Sequence, residues 1–485
     1  MRSSKAGGKP LVYATICLLA LAAVVEAIGG QQQACSNTTL QQMVDETPHG
    51  GVLIIEQGRY CGPIVIRKTM TLKGVGYPVI DGNYVSDVIV VEADNVTISG
   101  LKIINSNPDI SMEAAGIKIK GDNGRIIGNV IINALFPVYL LKSRNTVVEN
   151  NTLESFANKD INERGHGIYL WYTFNTTVIN NRITNSKDGI YNEHAYNTTI
   201  KGNIITRSRY GIHLMYSYNY TIADNIVSHN LVGLALMYSY NLYVANNIVK
   251  ENKGEAVSEG IFLRESGNLT VERNLIYGHV NGFVIEYSPY PPRMFQLIRN
   301  NTVAFNYIGV WIDGQSGGVM YANNFVENLQ QIVVVGERNP SVTWTFEGVG
   351  NFWSDYRGLG DVPHKVENPL EDIMDGFPQL RIFMFSPAYY ALETMKKAFP
   401  FNPRVRAVDE KPLAKPSHSY TVNYTRDNWW ALTAATLVVV SVLAVFLSIR
   451  LAYSGSAGFW SPVYKNFKSK NREESLAGGP SSDSV

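Results

Sequence analysis

Four side chains near the middle of the chain carry soft donor atoms at a regular spacing: His194, His213, Met215 and Met237. The two methionines lie 22 positions apart, and each opens a copy of the phrase MYSYN, at 215–219 and 237–241. Thioether sulfur and imidazole nitrogen are donors that hold Cu(I). If 22 residues return the chain to its own side, Met237 sits ~4.8 Å from Met215, and His213 lies ~6.6 Å along the strand. The chemistry expected of such a set is a transient Cu(I) site built from His213, Met215 and Met237, with His194 as a fourth group. The competing use of two outward methionines is an apolar patch that docks a partner.

The elements that must position these residues are legible in the repeat. GIYLWYTFNTTVINNRI starts at Gly167, GIYNEHAYNTTIKGNII at Gly189, GIHLMYSYNYTIADNIV at Gly211 and GLALMYSYNLYVANNIV at Gly233. Looser copies begin at Gly116, Pro137, Gly260, Gly282 and Gly309. A fixed period in the twenties indicates a solenoid. Each copy holds short β-branched and apolar patches broken by Gly, Asn and Ser, with no run suited to a helix. Three short strands per copy therefore predict an all-β chain, a right-handed parallel β-helix of ~22-residue coils. Leucine-rich repeats share the period but need helix-forming or Leu-dominated segments. Ile168, Ile190, Ile212 and Leu234 then form one buried column, and Leu170, Leu214 and Leu236 a second, interrupted by Asn192. Strand alternation turns His213 and Met215 outward, with Met237 stacked on Met215.

Two asparagine columns follow from the same spacing: Asn175, Asn197, Asn219, Asn241 and Asn268, then Asn181, Asn203, Asn225, Asn247 and Asn274. Asn tolerates left-handed backbone and its amide can bond the next coil, so both columns read as ladders. Glycosylation sequons at Asn175, Asn197, Asn219 and Asn268 then reflect the column, and Asn37 and Asn423 are the better acceptors.

The ends carry targeting signals. Arg2, Lys5 and Lys9, the apolar run 11–25 and the small residues Ala27, Gly29 and Gly30 form a signal peptide over 1–30. Residues 429–449, WWALTAATLVVVSVLAVFLSI, contain no charge and match a bilayer core of ~30 Å. Arg450, Lys465, Lys468, Lys470 and Arg472 follow, which orients 450–485 as a cytoplasmic tail. The bulk of the protein is then extracytoplasmic, in the periplasm or on the outer cell surface, anchored by its own C-terminal transmembrane helix. Lys+Arg 42 against Asp+Glu 41 gives a net charge of +1, so no bulk field favours nucleic acid. Cys35 and Cys61 remain outside the signal; an exported pair suggests a disulfide, and a thiolate copper pair is the alternative.

Between these ends, 31–345 reads as an N-terminal cap and the β-helix, 346–410 as a C-terminal cap or docking segment, and 411–428 as a Pro-rich linker. Within the cap, SPAYYALETMKKAFP reads as a helix with Ser386 as N-cap and Pro400 as stop.

RGHGIYLWYT, DGIYNEHAYN, RYGIHLMYSYN and VGLALMYSYN, followed by GNFWSDYRGLGDVP and SPAYYALETMKKAFP, resemble the NosD family across about residues 35–415. That resemblance implies a non-enzymatic, extracytoplasmic β-helix protein of nitrous oxide reductase maturation. It implies as partners an ABC transporter permease and ATPase, a copper chaperone and nitrous oxide reductase, whose copper–sulfur centre they assemble. Two departures stand out: the acidic run that often follows WSDY in the family is here only RGLGDVP, and bacterial members commonly lack an anchor of their own. The rival class is a carbohydrate-active or carbohydrate-binding surface β-helix, which as an enzyme needs carboxylates clustered on an outer face. Asp160, Glu163 and Asp188 lie on or near neighbouring coils, but no repeated carboxylate column appears. A passive surface-layer or adhesion role gives no reason for the His213–Met215–Met237 set.

Overall fold

Short strands, each two to six residues long, cannot hold together alone; they pair because the chain returns to the same place once per coil. The computed structural model describes residues 40–252, 258–336, 338–367, 369–383, 386, 389 and 405–422. Successive strands take turns among three parallel sheets of 13, 13 and 12 strands, so the chain is an all-β parallel β-helix. The third sheet, which carries the soft donors, includes strands Asp188–Glu193, Tyr210–Met215 and Val232–Met237. Its register places Ile168, Ile190, Ile212 and Leu234 in line, all fully buried, as the spacing predicts. Corners are closed by left-handed residues, largely Asn and Gly in one corner: Asn150, Asn180, Gly202 and Asn246 have φ between 55° and 67°.

Asn192 interrupts the second apolar column without an unpaired amide. It is completely buried, its Nδ2 donates to the His213 carbonyl at 3.2 Å, and its Oδ1 accepts from the Tyr220 hydroxyl at 3.1 Å. The two asparagine columns separate by burial. Asn181, Asn203, Asn225, Asn247 and Asn274 are at most 2% exposed, and each side-chain oxygen accepts from the amide N–H and Nδ2 of the preceding coil's Asn at 2.9–3.0 Å. The column of Asn197, Asn219 and Asn241 lies on the surface and is tied only side chain to side chain, at 2.9 and 2.7 Å.

Both ends of the core are closed. A short helix, α1 (Leu40–Glu46), buries Leu40 and Val44 in the core, and Gln41 exchanges two hydrogen bonds with the Val65 backbone at the start of the third sheet. At the other end the buried ladder stops at Asn351, whose N–H donates to Asp409 Oδ2 at 2.7 Å. Trp353 Nε1 donates to the same oxygen at 2.9 Å. Asp409 belongs to the antiparallel pair His364–Glu367 and Val405–Asp409. Residues 411–422, expected to be part of a linker, run along the second sheet. Leu413 N–H donates to the Asn351 carbonyl at 2.8 Å, Ser417 N–H to Asn324 Oδ1 at 2.8 Å, and His418 Nε2 lies 3.0 Å from Thr302 Oγ1.

The described residues 369–383, 386 and 389 belong to a second unit. Its described part contains the helix α2 (Pro369–Gly376) and a 3-10 turn, Pro378–Phe383. Leu370, Met374 and Tyr389 are buried together there. Tyr389 N–H donates to Ser386 Oγ at 3.2 Å, the contact an N-cap serine makes; the remainder of that expected helix lies outside the described residues. The expected signal peptide, Cys35, the span 429–449 and the tail also lie outside them. Among the described residues no helix is long and apolar enough to cross a membrane. Cys61 is disulfide-bonded.

Candidate functional site

The outer wall of the third sheet is built from register columns. One runs Tyr169, Tyr191, His213, Ala235 and Phe262; the next runs Trp171, Glu193, Met215, Met237 and Arg264. Met215 and Met237 are direct register partners and both are half-buried, so the repeat brings the two thioethers together as expected. The column continues with Glu193 on one side and Arg264 on the other, which brackets the methionines with opposite charges.

His213 requires a correction. Its strand position is on the outer side, yet its side chain is only 8% exposed, because neighbours cover the ring. Tyr191 lies 4.9 Å away, centroid to centroid, and Tyr210 packs edge-on at 4.7 Å. Nδ1–H donates to Asp188 Oδ2 at 2.9 Å. Asp188 is completely buried and also takes two bonds from Arg209, Nε to Oδ1 and Nη2 to Oδ2, both at 2.9 Å. His166 Nδ1 is 3.5 Å from Oδ2. Burial works to raise the Asp188 pKa, but the bond from His213, the charge of the two imidazoles and the Arg209 fork override it and hold the carboxyl well below the usual range. Burial pushes His166 down to about 4 against the pull of Asp188.

The ionised carboxylate can only accept, so His213 presents a proton to it from Nδ1, and Nε2 is the ring nitrogen left for another partner. That nitrogen is buried and has no hydrogen-bond partner. The next coil offers only the Ala235 methyl in register with the ring. His194 is placed differently. It sits at a corner with φ 51°, and its ring is stacked between Tyr172 at 4.7 Å and Tyr216 at 5.2 Å. It therefore belongs to a neighbouring aromatic ladder and not to the methionine column.

Sequence reasoning did not find the Asp188–Arg209–His213 cluster as a unit. The available signal was an offset of 21 between Asp188 and Arg209, one short of the period, which places them diagonally across adjacent coils. The carboxylates that could have served a glycosidase do not pair. Both Asp188 oxygens are bonded as above, and the exposed Asp160 accepts from the Asn162 N–H at 2.9 Å.

A family model described as "Periplasmic copper-binding protein (NosD)" matches residues 155–358. A "Probable ABC transporter binding protein NosD" from Pseudomonas aeruginosa is 35% identical over 379 residues, covering 74% of this chain and 87% of that protein. The protein of the same name from Stutzerimonas stutzeri is 32% identical over 378 residues, covering 74% of this chain and 85% of its own length. The chain belongs to the NosD family.

Among solved structures, the family 28 exopolygalacturonase of Yersinia enterocolitica is similar at a TM-score of 0.44 and 12% identity, over 66% of this chain and 77% of that one. The NosD family is one of extracytoplasmic, copper-binding proteins by its description, and this chain's donor set can be tested against that. Among the described residues no group of three or more His, Cys, Asp or Glu side chains is arranged to hold a metal ion. The orphaned Nε2 of His213, oriented by a carboxylate as metal-bound imidazoles commonly are, together with two adjacent thioethers, suits soft copper chemistry.

Proposed function

We propose that this NosD-family chain is an extracytoplasmic accessory protein that carries copper as Cu(I) to the assembly of the copper–sulfur centre of nitrous oxide reductase. In this reading a copper chaperone delivers the ion, and an ABC transporter permease and ATPase work with the chain, held at the membrane by residues 429–449. The naming of both bacterial relatives as ABC transporter binding proteins supports the transporter partnership.

The observation that carries the copper reading is the buried, unpartnered Nε2 of His213, two residues along the strand from Met215, whose register partner is Met237. The half-buried thioethers of Met215 and Met237 are the groups an incoming ion meets. Asp188 orients the imidazole through Nδ1, so Nε2 is the nitrogen His213 would offer to the ion. A shift of the covering tyrosine rings brings it into reach. His194, stacked in the aromatic ladder, is a peripheral fourth group. Thioethers hold the ion weakly enough to release it to the next carrier, as a transfer site requires.

The test is competition for Cu(I) against a chromogenic chelator. Met215→Leu with Met237→Leu is expected to weaken binding by about thirtyfold or more, each lost ligand being worth of order 1 kcal/mol or above. Unchanged affinity in that double variant overturns the assignment of these ligands.

A further inference from the structure

The corner that follows the methionine column carries two parallel rows of aromatic rings. Tyr172, His194, Tyr216 and Tyr238 stack at 4.7, 5.2 and 5.0 Å. Two residues on, Phe174 heads a second row, in which Tyr196, Tyr218 and Tyr240 stack at 5.4 Å per step. The residues between the rows are small and fully buried: Thr173, Ala195, Ser217 and Ser239. The result is a valley with aromatic walls and a floor of short side chains.

This placement goes against local backbone preference. Tyr172, His194, Tyr216 and Tyr238 all adopt φ of 51–52°. A neighbouring corner fills its left-handed positions with Asn150, Asn180, Gly202, Asp224 and Asn246, which adopt that conformation at little cost. Bulky rings at φ > 0 are unusual. They persist here over four successive coils.

The ends of the valley differ in charge. At one end a cleft of about 490 Å³ is lined by Lys142, Arg144, Tyr172, Thr173, Phe174 and Tyr196. Tyr172 and Phe174 are 47% and 45% exposed there. At the other end a cleft of about 270 Å³ is lined by Glu265, Tyr287, Tyr290, Pro289, Pro292 and Gln315, with Glu265 its one charged lining residue. Lys142 lies over the Trp171 ring, and neither cation meets a carboxylate among the described residues.

We propose that this valley is a docking groove for an extended, proline-rich peptide segment of a partner, acidic at the end near Lys142 and Arg144 and basic at the end near Glu265. Lys142 and Glu265 are five coil steps apart, ~24 Å at ~4.8 Å per coil, which a polyproline II strand spans in about eight residues at ~3.1 Å each. A helix ~10 Å across is too wide for rows that stand only two residues apart in the chain, no more than ~7 Å at the backbone. An added β-strand needs a free sheet edge, and these coils are paired on both sides. Within each row the ring faces are turned to one another, so an occupant meets ridges of ring edges and hydroxyls. Proline rings lie between such ridges, whereas a sugar ring stacks on an open face.

The test uses the full chain and a fluorescein-labelled octapeptide, Asp-Asp-Pro-Pro-Leu-Pro-Pro-Arg, with the charge-reversed order Arg-Pro-Pro-Leu-Pro-Pro-Asp-Asp as control, read by fluorescence anisotropy. The first peptide is expected to bind more tightly than the second. Tyr216→Ser with Tyr218→Ser should weaken it about tenfold, as expected when aromatic anchors are removed. Lys142→Glu with Arg144→Glu, both on exposed side chains, should abolish the preference between the two charge orders. Failure of the peptide to bind, equal binding of both orders by the unsubstituted chain, or displacement of the peptide by a neutral oligosaccharide such as cellohexaose overturns the proposal. Because none of these readouts involves copper, the result is independent of the copper reading.

Discussion

Along one wall of the third sheet, two adjacent regions use their polar atoms in opposite ways. In the region of Asp188–Glu193, carboxylate oxygens are committed to the fold: Asp188 binds Arg209 and His213, and Glu193 Oε2 accepts from the hydroxyls of Tyr169 at 3.0 Å and Tyr191 at 3.3 Å. One and two coils further, Met215 and Met237 bring soft sulfur atoms to a half-buried surface, and His213 keeps one nitrogen without a partner. The same backbone register produces both. What differs is commitment: a saturated buried network adds rigidity and has nothing left to offer a ligand, whereas donors without partners do little for the fold and remain available.

The sharpest way to break this comparison is Asp188→Ala. It leaves Arg209 and His213 without their shared acceptor, and stability should fall by about 3–5 kcal/mol in a urea titration. A loss below about 1 kcal/mol would mean that the network is not a structural hub.

A second test uses pH, because two groups on this wall titrate in opposite senses. His166 is pushed down to about 4 by burial, so the unfolded chain takes up a proton near 6.5 while the folded one does not. Its contribution is present above pH 6.5 and is lost as pH falls toward 4, by roughly 3 kcal/mol. Glu259 is raised to about 7, by burial first and by Glu286 second. Its contribution is present below its unfolded value and is lost as pH rises from about 4.5 through 7, by a similar order. His166→Gln should therefore flatten the acid-side loss, and Glu259→Gln should stabilise the protein at pH 8 but not at pH 4. Thermal unfolding across pH 4–8 measures both, and parallel profiles in the two variants would contradict the assignment.

Smaller effects sharpen the comparison. Tyr169→Phe removes one of the two hydroxyl bonds to Glu193 and should cost about 1.5 kcal/mol, the range for a hydrogen bond to a charged group. Met215→Leu with Met237→Leu should cost less than about 1.5 kcal/mol in stability, since the swap conserves volume. That is the smallest change in folding and the largest expected in Cu(I) affinity, and the two readouts on one protein preparation separate binding from structure.

Much of the architecture was legible because a parallel coil converts equal sequence offsets into spatial neighbours. Met215 beside Met237, the Ile168–Ile190–Ile212–Leu234 column and the Asn181–Asn203–Asn225 ladder all follow from the 22-residue spacing. The same rule could not distinguish a buried Asn ladder from an exposed one, since both repeat with the same period. It also turned His213 outward correctly as a strand position but not as a side chain, because burial there depends on Tyr191, Tyr210 and Asp188.

By itself, then, the sequence determined the fold class, the coil period and which residues stack on which, because backbone pairing in parallel sheets depends only on local alternation and register. The tertiary structure decided the contacts that fall outside that register. Arg209 reaches Asp188 diagonally, Asp409 ends the asparagine ladder from 58 residues away, and residues 411–422 lie back along the second sheet to meet Asn351, Asn324 and Thr302. These contacts depend on side-chain reach and on chain segments outside the repeat, for which no period exists to be read.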